Sequence, residues 1–173
     1  MVGAACGVAA LAGLLAGCGG SAESAAPGRS ASPPAVTSRA VDAQASRVAV
    51  AEHVKTLVEG RISPDETRFG SGTGSPCATS SARMFTAACG SAATATGADA
   101  AFVRQQIQPH QGFATLRSVT DKLMTAVSTY SRLGCAANPT AAATRHACLH
   151  PAAVIAQGFP DLRDGANLGL HGA

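Results

Sequence analysis

The sequence contains few large side chains. Its 173 residues include no Trp, one Tyr and five Phe, although 46% of them are hydrophobic. The apolar residues are therefore mostly small, and a core built from them is thin. The length predicts a single domain, for which about 100 to 130 residues remain once targeting and linker segments are set aside.

Charge is also scarce. Charged residues make up 13% of the chain, and the formal net charge is +3. A nucleic-acid-binding surface needs basic residues clustered on one face, usually with aromatic side chains that stack on the bases. The scattered basic residues and the few aromatic ones therefore argue against a nucleic-acid partner.

The run of apolar and small residues at positions 8–17 is too short for a transmembrane helix, which needs about 20 residues. Its length is typical of the h-region of a signal peptide, and it ends in the tetrapeptide LAGC at 15–18. This tetrapeptide matches the lipobox pattern L-[AS]-[GA]-C, and the chain resembles bacterial lipoproteins in this respect. The resemblance implies that residues 1–17 are a lipoprotein signal peptide and that the sulfur of Cys18 receives a diacylglyceryl group.

A lipidated Cys18 would become the mature N-terminus and anchor the protein to the cell membrane on its extracytoplasmic face, because two acyl chains suffice for stable anchoring. The Ala-rich composition, with Arg preferred to Lys, is similar to that of actinobacterial proteins. Residues 1–10 lack the Lys or Arg of a normal n-region, which leaves open a start further upstream or an inefficient signal. The alternative is an ordinary secreted protein in which Cys18 is not modified.

Ser, Ala, Gly and Pro dominate the residues that follow the lipobox. Such a composition cannot bury enough apolar surface to offset the entropy of ordering the chain. We therefore predict that residues 18–39 comprise the lipidated cysteine and a disordered linker. Residues 40–173 are then the extracytoplasmic domain.

Four cysteines lie beyond the lipobox: Cys77, Cys89, Cys135 and Cys148. An even number of cysteines in an exported chain predicts two disulfides. We prefer the pairs Cys77–Cys89 and Cys135–Cys148, because each flanks a candidate helix start or a loop that can fold back, and a pair joining the two regions stays open. The C-x2-C spacing of a thiolate metal site is absent, so no metal site and no cofactor are predicted.

Helical periodicity is the main structural signal in the domain. Apolar residues three or four apart predict a helix over 113–133, which Gly134 ends; they are Leu116, Val119, Leu123, Val127, Tyr130 and Leu133. Shorter stripes predict helices over 50–58, 84–92 and 102–107, the first of which ends before Ser63 and Pro64. No segment alternates clearly enough to predict a strand. The predicted fold is an all-α bundle of four or five helices that two disulfides brace.

The C-terminal third contains the only polar groups whose spacing resembles a site. Asn138 and Pro139 predict a helix start, and His146 and His150 would share one face of that helix. Two imidazoles do not complete a metal site, so solvated histidines beside a disulfide are the preferred interpretation.

Two other segments resemble binding sites only superficially, and we interpret both as structural. The glycine-rich residues 69–76 lack the strand, the helix and the Lys of a phosphate loop, which predicts an interhelix loop. Asp161 and Asp164 predict a solvated helix end with Arg163 as ion-pair partner.

No motif for nucleophilic or acid-base catalysis is present in the sequence. We therefore expect a non-enzymatic interaction or binding module, anchored through Cys18, whose partner is an envelope protein or ligand. The alternative is a small-ligand or metal-binding lipoprotein. An envelope enzyme is a third hypothesis, without supporting residues.

Overall fold

The structure, a computed structural model, describes residues 36–169 of the chain. The predicted signal peptide, Cys18 and most of the predicted linker lie outside the described residues. Within them are five helices and no strand: α1 (Val36–Phe69), α2 (Ala87–Ile107), α3 (Ala114–Arg132), α4 (Ala142–Ala156) and α5 (Gly158–Gly169). The predicted all-α bundle is confirmed. None of the described helices is long and apolar enough to cross a bilayer.

The helix α3 lies at the centre and packs against α2, α4 and α5. Its boundaries confirm the predicted helix over 113–133, and Gly134 follows it with a φ of 65°, the left-handed conformation expected of a terminating glycine. Leu116, Leu123 and Tyr130 of the predicted stripe are buried. The periodicity therefore identified the face that forms the core.

The helix α2 combines two stripes that the sequence analysis treated as separate helices. Its first residue is Ala87, so Met84 and Phe85 precede it, and the helix continues without a break to Ile107. The side chain of Thr86 caps the start by accepting a hydrogen bond from the backbone N–H of Ala88. Small residues between the two stripes hid their continuity, because they contribute little to an apolar pattern.

The helix α1 differs from its prediction at both ends. It begins at Val36, within the range 18–39 assigned to the linker, and it passes through Pro64, where the predicted helix ended. Proline has no N–H, so Pro64 cannot donate the helical hydrogen bond to the carbonyl of Gly60. Both residues are exposed, and there is open space beside Gly60. The ring therefore fits on the solvent side, while Ile62 on the opposite side stays fully buried.

The first turns of α1 contribute nothing to the core of the bundle. Every side chain from residue 39 to residue 49 is exposed, and the first buried position is Ala51. At a rise of about 1.5 Å per residue, residues 36–49 extend by about 20 Å. The bundle itself therefore begins near residue 50.

The helix α4 starts later than predicted. Asn138 and Pro139 do not open it; instead Asn138 adopts a left-handed φ of 52° and donates its backbone N–H to the carbonyl of Phe85 at 3.0 Å. An Asn tolerates this conformation better than most residues, which explains its presence in the turn. Pro151 lies inside α4, its ring buried.

Two disulfides close the loops at the ends of the central helices. Cys77 bonds Cys89 across a Cα–Cα distance of 4.8 Å, and Cys135 bonds Cys148 across 5.8 Å. The preferred pairing is confirmed. The first disulfide fastens the loop before α2 to the first turn of that helix, and the second fastens the turn after α3 to α4. Loops of this length contribute about 3 kcal/mol each in the chain-entropy description.

We expect Leu123→Asp to unfold the bundle, because the new carboxylate would lie unpaired in the core, where Leu123 is 0% exposed. A loss of more than about 4 kcal/mol is a large part of the stability of a domain of this size. Thermal unfolding followed by circular dichroism measures the effect. Thr125→Asp, at an exposed position on the same helix, is the control and should change little. Native-like melting of the Leu123 variant would show that the core is placed wrongly.

Candidate functional site

An apolar groove lies between α2 and α3, bordered by the turn at Cys135–Ala137. Its volume is about 670 Å³, within the range of small-molecule pockets, and it is open to solvent. Met124 and Val127 contribute the larger apolar side chains, and Ser128 and Ser131 contribute hydroxyl groups. The groove is large enough for a small molecule, and its walls are mostly apolar.

The α2 side of the groove is formed by residues with little or no side chain. Gly90, Ala93 and Gly97 follow each other at helical spacing and line it. A Cβ on Gly97 would lie 3.1 Å from a methyl carbon of Val127, and one on Gly90 would lie 3.0 Å from the Cβ of Ala136. The missing side chains let α2 lie close to Val127 and Ala136, and they leave the space between these contacts open as the groove.

Tyr130 is the one titratable side chain among the residues that line the groove. It is 2% exposed, and its hydroxyl donates a hydrogen bond to the backbone carbonyl of Met84. Burial raises the pKa of Tyr130 to about 12. Tyr130 is therefore a neutral, fixed phenol that closes the groove, and the lining offers binding rather than acid-base chemistry.

A buried carboxyl group lies on the opposite side of α2. Asp99 is 0% exposed, and Nε of Arg61 on α1 lies 2.7 Å from its Oδ1. The N–H of Arg61 is not aligned with this oxygen, so among the described residues neither carboxyl oxygen accepts a well-formed hydrogen bond. The hydroxyl of Thr96, one turn away, is likewise buried without a partner in this part of the chain.

The pKa of Asp99 reflects its burial. Loss of hydration raises it from its ordinary value of 3.8 to about 6, and the nearby negative charge of Asp65 adds to the rise. The attraction of Arg61 opposes the rise but is the weaker effect. The Arg61 side chain is 42% exposed, so water screens much of its charge.

A second charged cluster connects α5 to α1. Arg163 contacts Glu59 at 2.7 Å and Glu66 at 2.6 Å through separate nitrogens. The hydrogen bond from Arg163 holds the pKa of Glu66 below its usual value. The prediction that Arg163 pairs with the neighbouring aspartates is therefore wrong, because its partners come from a helix that is distant in sequence.

The structure groups none of the other predicted site residues into a complete site within residues 39–169. His146 and His150 are both exposed on α4, and Cys148 between them is buried in its disulfide. Asp161 lies 3.4 Å from Lys122 on α3, and Asp164 is exposed. Among the described residues, no three His, Cys, Asp or Glu side chains are grouped as metal ligands. The glycine-rich residues 69–76 begin at the last residue of α1 and continue into the segment that leads to α2, so the predicted interhelix loop is found there.

Sequence reasoning missed both Asp99 and the groove. A charged residue within a long Ala-, Thr- and Gly-rich segment was a signal for Asp99, but nothing in the sequence linked it to Arg61, 38 positions earlier. For the groove, the spacing of Gly90, Ala93 and Gly97 was a signal of close helix packing.

Comparisons with family models, with curated proteins and with solved structures find no match to this chain.

We expect the free energy of unfolding to depend on pH through Asp99. Folding raises the pKa of Asp99, so the folded state holds the carboxyl proton more tightly than the unfolded state does. The stabilisation that results is complete below the ordinary pKa of 3.8 and is lost as the pH rises through about 6. A rise of about two pKa units corresponds to about 3 kcal/mol. Urea unfolding at several pH values between 4 and 7 should therefore show falling stability as the pH increases.

Asp99→Asn should remove this slope, since the amide does not titrate. Asp121→Asn is the control, because Asp121 is an exposed partner of Arg104 on α2 and should leave the slope unchanged. The effect of Glu66 has the opposite sign and belongs to lower pH, since its stabilisation is lost only as the pH falls below its ordinary value of 4.5. An identical slope in the Asp99 variant and the wild-type protein would contradict the assignment.

Proposed function

We propose that the protein is a non-enzymatic interaction module, lipid-anchored through Cys18 at the extracytoplasmic face of the cell membrane. The observation that carries the proposal is the LAGC sequence at 15–18, directly after an apolar segment of h-region length. The acyl chains on Cys18 would insert into the bilayer, and the helical domain would face the envelope.

The two disulfides support export. Both connect buried cysteines within the helical domain. Structural disulfides persist in oxidising compartments and are rare in the cytoplasm. A domain with few large core residues gains much of its stability from such bonds only outside the reducing cytoplasm.

The helix α1 supports a display function. In its first turns, every side chain from residue 39 to residue 49 is exposed. The opposite end of α1 leads to the loop at Gly72 and Thr73, which lies beside Gln157 at the end of α4. The α1–α2 loop and the C-terminal end of α4 therefore lie together at the end of α1 that is far from its exposed first turns, where a partner could reach them.

The groove between α2 and α3 favours a second candidate function, the binding of a small apolar ligand. Its volume of about 670 Å³ and its lining of Met, Val, Ala and Gly are suited to such a molecule. The apolar lining makes the small-ligand form of this alternative better supported by the groove than the metal-binding form.

The anchor is tested by Cys18→Ser in the full-length chain produced in a bacterium that lipidates its exported proteins. We expect the variant to lose its lipid and to be released from membranes or to remain unprocessed. Cys6→Ser is the matched control, because Cys6 lies in the same predicted signal but outside the lipobox, and it should leave the anchor unchanged. Membrane fractionation and intact mass measure the outcome. Unchanged lipidation of the Cys18 variant would refute the anchor.

The small-ligand alternative is tested with methionine methyl groups as reporters. Met124 lines the groove, whereas Met84 is buried and does not line it. In a chain with isotope-labelled methionines, the apolar dye anilinonaphthalene sulfonate should shift the methyl signal of Met124 and leave that of Met84 in place. Thr94→Phe fills the groove from its exposed rim and should weaken dye binding by about tenfold, a loss of about 1.4 kcal/mol.

Thr125→Phe adds the same side chain at an exposed position outside the groove and is the control. Equal binding of the dye to both variants, or a dye-induced shift of both methionine signals, would count against the groove as a ligand site.

A further inference from the structure

The exposed face of α4 carries two histidines at its centre. His146 and His150 are four residues apart on one continuous helix, which Pro151 does not interrupt. Residues at this spacing lie on the same face with their Cβ atoms about 5–6 Å apart. The same spacing lets two imidazoles bind one Zn²⁺ ion from a helix. Pro151 therefore does not separate the two histidines.

No neighbouring group within the described residues occupies these imidazoles. Neither His146 nor His150 forms a hydrogen bond or an ion pair with residues 39–169. Arg145, the closest cation in sequence, is held elsewhere: its guanidinium lies 3.7 Å from the ring centre of Phe85 and donates to the side chain of Asn138 at 3.0 Å. A divalent cation at the histidine pair would therefore not face an unpaired guanidinium.

The surroundings of the pair suit contact with another helix. Leu149, between the two histidines, is 37% exposed and is one of the few large apolar side chains on the surface of the described residues. The rest of the face consists of small side chains, namely Ala142, Ala143, Ala147 and Ala153. Small side chains allow a second helix to approach closely, and covering Leu149 would remove apolar surface from water.

The pair supplies half of a zinc coordination shell. Structural Zn²⁺ sites are almost always tetrahedral with four protein ligands. Cys148 cannot contribute because it is in a disulfide, and no third ligand of the described residues is grouped with the histidines. A second copy of the same face, related by a twofold axis, would supply the two missing imidazoles.

We propose that Zn²⁺ joins two copies of this protein through His146 and His150 of each copy, with the α4 helices in contact. The inference deepens the proposed function, because it names a second copy as the partner for the α4 surface. It rests on the proposed interaction function but not on the lipid at Cys18. One Zn²⁺ binds per two chains, and the two Leu149 side chains are covered in the dimer.

The experiment uses the full-length chain, extracted in detergent and purified with a tag that contains no histidine. Sedimentation velocity and native mass spectrometry compare the protein in a chelator with the protein at half an equivalent of Zn²⁺. We expect a monomer in the chelator and a dimer that carries one zinc ion. Co²⁺ in place of Zn²⁺ should give the intense visible absorption of tetrahedral coordination.

His146→Ala and His150→Ala should each weaken Zn²⁺ binding by at least about tenfold and abolish the zinc-dependent dimer. His53→Ala is the matched control, because His53 is exposed on α1 away from this face, and it should leave the dimer intact. Zinc binding without dimer formation, a dimer that survives both α4 variants, or loss of the dimer in the His53 variant would overturn the proposal. Membrane retention through Cys18 is measured without added metal, so the anchor and the zinc-bridged dimer can fail independently.

Discussion

Close approach of the helix backbones is the constraint on which this structure depends. With few large side chains available, the helices can exclude water only by packing near one another. The helix α5 shows this best. A Cβ on Gly165 would lie 3.2 Å from the Cα of Leu116 on α3, and a Cβ on Gly169 would overlap the ring of Phe113. Glycine at these positions lets α5 rest directly on the central helix.

The scarcity of large side chains also explains the disulfides and the groove. Small residues bury little apolar area each, and at about 25 cal/mol per Å² a core of alanines gains less than one of leucines. The two disulfides add stability that the core does not supply. Where the small residues of α2 meet α3 without a large side chain to fill the gap, the groove remains. The feature that weakens the core therefore also creates the pocket.

The sequence was sufficient to predict those parts of the fold in which apolar residues are large and regularly spaced. The stripe from Leu116 to Tyr130 identified α3 and its buried face. The cysteine pairs could also be chosen, because each pair flanks a candidate helix start or a loop that can fold back. For the site residues, prediction was poorer: the histidines of α4 were noted, but Asp99 was not.

Two of the failures share a physical cause, which is that local rules were overridden by contacts distant in sequence. Pro64 predicted a helix end, but α1 continues because Ile62 is buried on one side and Glu66 binds Arg163 of α5 on the other. Asn138 and Pro139 predicted a helix start, but the backbone N–H of Asn138 is used to hold Phe85. In both places, the deciding partner is more than 50 residues away in the chain.

Asp99 shows what close packing costs. Asp99 faces Arg61 of α1, and Thr96 faces Gly158 of α5. The backbone of Gly158 lies so close to Thr96 that a Cβ on Gly158 would collide with the Thr96 methyl group. The polar groups of Thr96 and Asp99 are buried away from water, which costs free energy. The partly exposed guanidinium of Arg61 does not supply the hydrogen bonds that water would have made. The close approach that stabilises the bundle at Gly158 therefore lies beside two polar side chains, Thr96 and Asp99, that are buried without hydrogen-bond partners among the described residues.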